Sequence, residues 1–298
     1  MVVVTLTALT MVAFAANSLL CRLALGESLI DPVSFTTIRL VSGAVAFLAI
    51  SGLAGGRRGA QTTKGSWGTG FALFAYAAAF SLAYVSLSTG MGALILFGAV
   101  QVTMLGAAVA AGEHLTPAQW AGSVAAIAGL VYLVLPGISA PDPVGALLMC
   151  VSGIAWGVYS IRGRGVSAPV AMTAANFLRS APFAIVASAV ALSWVHLEPA
   201  GLLIATTSGI VTSGMGYVLW YRVLRSITTA QASVVQLSVP VIAAFGGVAF
   251  LSEHVSMRLL TASAVILGGV AVAVITGHST RRDKSPYNRP VHTSTGTR

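Results

Sequence analysis

Apolar residues in this chain neither alternate with polar ones nor keep to one helical face. They run in continuous blocks of about twenty, separated by short polar breaks. A block of about twenty residues crosses the ~30 Å hydrocarbon layer as an α-helix. A helix also pairs its backbone N–H and C=O groups within the segment, as lipid demands. A membrane β-barrel would read as short alternating strands instead. The blocks predict spans at 2–21, 32–53, 67–88, 90–111, 116–136, 143–161, 169–193, 201–221, 229–251 and 257–276. The breaks carry turn chemistry: Asp31-Pro32, Gly55-Gly56-Arg57-Arg58-Gly59, Pro136-Gly137 and Glu198-Pro199. Spans three and four nearly fuse at Thr89-Gly90. Ala13-Phe14-Ala15 resembles a leader cleavage site, but no Lys or Arg precedes the first apolar run, so that run is read as a span.

Composition agrees: 56% of residues are hydrophobic and 8% charged, against about 25% charged in soluble domains. The expected fold is therefore an all-α integral membrane protein of ten transmembrane helices. The net charge of +9 would suggest nucleic acid in a soluble protein. Here the cations sit between spans and in the tail, so topology explains them and no nucleic-acid partner is expected. With the N-terminus in the cytoplasm, twelve of the sixteen Lys and Arg fall on the cytoplasmic side, as the positive-inside rule requires. They are Arg57, Arg58, Lys64, Arg162, Arg164, Arg222, Arg225 and five residues of the basic C-terminal tail. Residues 277–298 are expected to be a disordered cytoplasmic tail. The reading is thus a multi-pass protein of the cell membrane with both termini inside. The lone thiols Cys21 and Cys150 imply no disulfide framework, and no metal or cofactor is expected.

Shifting the chain by 140 residues superposes Arg22 on Arg162, Arg39 on Arg179, Gly106 on Gly246, and Glu113-His114 on Glu253-His254. Each unit, 1–140 and 141–276, holds five spans. An odd count means that the second copy enters the membrane from the opposite side, giving two inverted five-helix repeats, a plan common in secondary transporters.

Two five-helix units, an Arg in the second helix of each (Arg39, Arg179), a fourth helix closing on a Glu (Glu113, Glu253), Trp156-Gly157, and the run from Pro240 through Leu251-Ser252-Glu253 to Gly268-Gly269 resemble the drug/metabolite transporter superfamily, EamA type. The resemblance covers about residues 5–276. It implies ten helices around a central cavity and export of amino acids or other metabolites. Two departures concern how the halves line that cavity: Ala16-Asn17 stands where Trp-Gly would be expected, and Val100 stands where the second half has Pro240.

The unduplicated polar and aromatic residues Asn17, Gln101, Trp156, Tyr159, Asn176, Tyr217 and Gln236 are the candidate substrate-binding set, since an amide in hydrocarbon must face a partner or a water-filled cavity. Interhelical hydrogen bonding explains any one of them singly. Trp220 is a further cavity candidate, although Trp220 and Tyr221, near a span end, also suit an aromatic belt. Arg39 and Arg179 are read as structural, each fixing helix packing, with attraction of a substrate carboxylate as the alternative. Glu113 and Glu253 are read as helix-end gating or packing residues on opposite faces; any proton coupling falls to them. Pro240 removes a hydrogen bond within the ninth helix and permits bending. No P-loop pattern appears, and no catalytic triad or carboxylate pair can be assembled, so no enzymatic activity is expected. The reading is a secondary transporter of a small metabolite working by alternating access, a monomer or homodimer in the lipid bilayer. A membrane-embedded enzyme acting on lipid and a channel are the other classes.

Overall fold

A computed structural model describes residues 2–53, 65–110, 112, 116–135, 140–227, 232 and 235–282. Ten helices are described: α1 (Val2–Gly26), α2 (Pro32–Leu53), α3 (Trp67–Tyr84), α4 (Thr89–Ala110), α5 (Pro117–Val134), α6 (Pro143–Arg162), α7 (Pro169–Val190), α8 (Pro199–Leu224), α9 (Ser238–Leu251) and α10 (Met257–Arg282). Six of them are long and apolar enough to cross a membrane by length and composition. Large apolar side chains such as Leu147, Phe245 and Phe250 are exposed on the outside of the bundle, which suits a lipid surround.

Local chemistry sets the helix starts. Pro opens α2, α5, α6, α7 and α8, where its fixed φ fits the helix and its missing N–H costs nothing. Asp31 Oδ1 accepts from the Val33 and Ser34 N–H groups at 3.0 and 2.8 Å. Asp142 Oδ2 accepts from Gly145 N at 2.6 Å. Both carboxylates cap a positive helix end.

The loops show how the chain threads. Asp31 N donates to His196 O and Glu198 N to Leu29 O, both at 2.9 Å, joining the α1–α2 and α7–α8 turns. Ser86 Oγ donates to Asp142 Oδ2 at 3.1 Å, joining α3–α4 to α5–α6. Thr89 N donates to Glu253 at 2.9 Å, joining α3–α4 to α9–α10. Arg22, near the end of α1, donates to the Tyr84 and Val85 carbonyls, joining these two groups, so all five odd-numbered connections share one end, hereafter the acidic end. Arg162, Arg222 and Arg225 lie at the last turns of α6 and α8, at the opposite, basic end. The packing obeys an exchange of the first five helices for the last five. α3 lies on α6 and α7 as α8 lies on α1 and α2. α4 lies on α6 as α9 lies on α1, and α2–α7, α4–α9 and α5–α10 pair with each other. Since five is odd, exchanged partners run in opposite directions.

Two predicted spans differ in detail. In the ninth, Ala232, Val235 and Gln236 are helical, a turn at Leu237 interrupts the chain, and α9 runs from Ser238, while the predicted start at 229 lies outside the described residues. A proline cannot donate to a carbonyl four residues back, but its missing N–H is harmless in a first turn. Pro240 thus starts α9 instead of kinking its middle. α10 continues past Thr276 to Arg282, so the first six residues of the expected tail, 277–282, are helical. Helical hydrogen bonding is local and does not stop where the composition turns polar, and cations suit a helix C-terminus. Residues 283–298 lie outside the described residues.

Candidate functional site

The middle of α8 departs from an α-helix: Ser208–Met215 is a π-helical stretch. Its wider turn directs Ser208, Thr212 and Ser213 toward one acceptor. Asn17 Oδ1 on α1 accepts from Ser208 Oγ at 2.7 Å, Thr212 Oγ1 at 3.0 Å and Ser213 Oγ at 3.3 Å. Such stretches frequently mark functional sites. Gly209 lets this segment lie directly on α2, because a Cβ there would meet the Arg39 carbonyl and Ser42 Oγ.

Arg39 lies at the centre and is 0% exposed. Its Nε donates to Ser213 Oγ at 2.8 Å, and its Nη2 to Tyr217 OH at 2.7 Å and Tyr76 OH at 3.1 Å. The guanidinium also lies over the rings of Tyr76 and Phe80, 5.2 Å from each centroid, at cation–π range. Its Nη1 is buried without a partner. No carboxylate is among these partners. An isolated charge at this depth costs at least ~2.5–3.5 kcal/mol on insertion scales, and an unmade buried hydrogen bond adds ~1–3 kcal/mol.

Around Arg39 stands an aromatic cage. Trp156 packs on Tyr217 and Tyr76 with ring centroids 4.8 and 4.9 Å apart, on Phe14 at 5.3 Å, and on Tyr159 at 5.4 Å. Trp156 Nε1 donates to Gln236 Oε1 at 3.0 Å. Gln236 Nε2 in turn reaches Ala232 O at 3.1 Å and Met104 Sδ at 3.9 Å. Beyond Tyr159, Asn176 Nδ2 donates to the hydroxyls of Tyr159 and Tyr221 at 3.4 and 3.3 Å. Asn176 Oδ1 is a second buried atom without a partner.

A separate cluster ties the acidic end. Arg22 Nη1 donates to the carbonyls of Tyr84 and Val85, both at 3.1 Å. Its Nε lies 3.5 Å from Glu253 Oε1. Glu253 also accepts from the N–H and hydroxyl of Thr89. The cluster fastens the ends of α1, α3 and α9 to the start of α4. Ser252, in the left-handed region at φ 53°, makes the reversal that brings Glu253 back over Gly247.

Asn17, Trp156, Tyr159, Asn176, Tyr217 and Gln236 thus converge on one buried region. Gln101 is buried on α4, three residues before Met104 and hence on the same helix side. The resemblance implies a central cavity. Here the cage rings close over Arg39, whose zero exposure leaves no water-sized space against it. Trp220 and Tyr221 are not a belt: both are fully buried, with Trp220 Nε1 donating to Ser160 Oγ at 3.3 Å. The two arginines differ. Arg39 is the eighth residue of α2, whereas Arg179 is the eleventh of α7, and Asn176 holds the eighth place there. Arg179 is half-buried, donating from Nη1 to Ala175 O of its own helix at 3.2 Å, against Gly65 and Gly70 at the start of α3. Glu113 lies outside the described residues. Tyr76, Ser208, Thr212, Ser213 and Arg22 are not among the site residues that the sequence singles out. A mid-span tyrosine in the Ala/Phe-rich α3 and the Ser/Thr cluster at mid-span in α8 are the available signals.

The EamA-like transporter family matches residues 143–275. An uncharacterized protein of Pseudomonas aeruginosa is 49% identical over 267 residues, covering 90% of this chain and 92% of that one. An uncharacterized transporter of Archaeoglobus fulgidus is 25% identical over 209 residues, covering 68% of this chain and 74% of that one. A crystal structure superposes with a TM-score of 0.63 at 22% identity, covering 94% of this chain and 99% of that one, a likeness of fold. The apolar ten-helix bundle is a multi-pass membrane protein, and its relatives and family model make it a transporter of small molecules: the chain belongs to the EamA-like transporter family.

Proposed function

We propose that this protein is a secondary transporter whose substrate binds in the Arg39–Asn17–Tyr76–Tyr217 centre, exposed alternately to the two ends of the bundle. The observation that carries the reading is a fully buried, uncompensated Arg39 held jointly by α3 and α8, the exchanged counterparts of the two halves. A purely structural core has no reason to keep such a charge when apolar residues would pack there. The two halves, residues 1–140 and 141–276, move against each other, and the π-helical stretch of α8 and the break before Pro240 supply joints. The Arg22–Glu253–Thr89 cluster acts as the gate of the acidic end. Asp31, Asp142, Glu198 and Glu253 at one end and Arg162, Arg222 and Arg225 at the other support a basic end in the cytoplasm of a cell membrane, with both chain termini on that side. The resemblance supports an amino acid or related compound as the substrate and export as the direction. Proteoliposomes preloaded with a panel of unlabelled metabolites and offered the labelled counterparts test the reading. Counterflow of at least one solute, absent from empty liposomes, is the expected result. No flux in any format, together with chemical change of an added lipid, would mean a membrane enzyme instead.

A further inference from the structure

Resting on the reading that this centre binds the substrate, the geometry points to a substrate bearing a single carboxylate, held by the unpartnered Nη1 of Arg39. A guanidinium has five N–H donors. The Nε–H is taken by Ser213 and the Nη2 hydrogens by Tyr76 and Tyr217, which leaves both hydrogens of Nη1 unmatched. All acceptors present are neutral hydroxyls, so the hydrogen bonds that are made do not cancel the charge. The seven acids of the chain fall at span ends or in the tail, and none of the described ones, Glu27, Asp31, Asp142, Glu198 and Glu253, is among the partners of Arg39. Arg remains protonated under all ordinary conditions. The centre therefore carries one positive charge that no described carboxylate balances.

Charge balance selects the ligand. A monoanion makes the loaded centre neutral. A dianion would leave a negative charge in the same low-dielectric site, and a neutral or cationic solute would leave the arginine as it is or repel it. A planar carboxylate suits the fork of N–H groups that guanidinium presents. The guanidinium lies over the rings of Tyr76 and Phe80, 5.2 Å from each centroid, and Trp156 packs on Tyr76 and Tyr217 at 4.9 and 4.8 Å. The remainder of the substrate is thus flat or apolar. Binding requires the cage to open, because Nη1 has no free space beside it in this closed form.

The test uses the purified full-length chain in detergent and its tryptophan fluorescence, to which Trp156 of the cage contributes as one of five tryptophans. Benzoate, phenylacetate, lactate and N-acetylglycine are each titrated against their primary amides, which keep the shape and lose the charge. At least one carboxylate should change the fluorescence saturably, and bind at least about 10-fold tighter than its amide, as a charge-assisted hydrogen bond gives. Arg39→Gln should erase that preference, and Arg39→Lys should keep part of it. Should Arg39→Gln fail to give a monodisperse protein, Tyr217→Phe, which preserves packing, should weaken the carboxylate by about 3- to 10-fold. No saturable binding of any carboxylate, equal binding of acid and amide, or an unchanged preference in Arg39→Gln or Tyr217→Phe overturns the inference. Flux of neutral solutes without preference for acids in proteoliposomes would sink this inference alone, whereas absence of all flux would sink the transporter reading beneath it.

Discussion

Replacing Asn17 by aspartate should supply from within the protein the charge that Arg39 lacks. Asn17 and Arg39 share Ser213, whose Oγ lies 2.8 Å from Arg39 Nε and 3.3 Å from Asn17 Oδ1. A carboxylate at position 17 therefore sits no more than about 6 Å from the guanidinium, where opposite charges attract by about 3 kcal/mol at an effective dielectric constant near 20. The hydroxyls of Ser208, Thr212 and Ser213 already point at the acceptor, and hydrogen bonds to a charged acceptor are about twice as strong as neutral ones. Together these offset the several kcal/mol of burying the new charge. Asn17→Ala is the counter-case. Ser208 Oγ would lose its acceptor, while Thr212 would still reach Ser208 O. The loss should be about 2–4 kcal/mol, lowering the apparent melting temperature by about 5–10 °C. Cys21 is fully buried, so a thiol-reactive dye that fluoresces on coupling follows the unfolding in detergent. Asn17→Asp should melt at or above the wild-type temperature yet bind carboxylates at least about 10-fold more weakly, because its own charge occupies Arg39. Melting of Asn17→Asp at or below the Asn17→Ala temperature would refute the argument that Arg39 lacks a counter-charge.

Other substitutions probe separate parts. Gly209→Val should drive α8 from the Arg39 carbonyl and Ser42, lowering stability by about 2 kcal/mol or more and abolishing flux; a normal melting curve would contradict the close packing. Glu253→Gln should loosen the acidic end, raising maleimide labelling of the adjacent Cys21 in membranes several-fold, and unchanged labelling would show that the cluster holds nothing shut. Arg258→Ala should free the carbonyls of Tyr132 and Leu135 at the end of α5. Amide exchange should then speed up over the last turn of that helix at a cost of about 1 kcal/mol, and protection equal to wild type would refute the cap.

The spans were legible because lipid imposes one rule on every block: about twenty apolar residues with internal backbone pairing. α2 begins and ends where its apolar block does, since Asp31-Pro32 is both a polar break and a helix start. α9 was not legible in the same way, because its interruption at Leu237 falls inside an apolar run that composition cannot divide. The candidate site was legible wherever an amide or indole stood alone in a span, hence Asn17, Trp156, Asn176 and Gln236. Ser208, Thr212 and Ser213 were not, because small hydroxyl residues serve helix packing equally well and only the π-helical turn gives them one target. Arg39 and Arg179 matched at an offset that ignores a difference of three residues in helix register, about one turn. The sequence could not show that only Arg39 reaches the centre. Trp220 and Tyr221 suit a belt only when their span ends with the apolar block at 221. α8 in fact runs to Leu224, which draws both rings into the bundle.

Solvent access to Ser213 from the two sides of the membrane is the most direct test of an alternately opening centre. The variant Ser213→Cys in a Cys21→Ala, Cys150→Ala background, in sealed vesicles of known orientation, is treated with a membrane-impermeant thiol reagent from outside or inside. The account predicts modification from either side, slow because the site is buried in the closed form, and slowed further by a transported solute. Modification from one side only, or none from either side over hours, would contradict it.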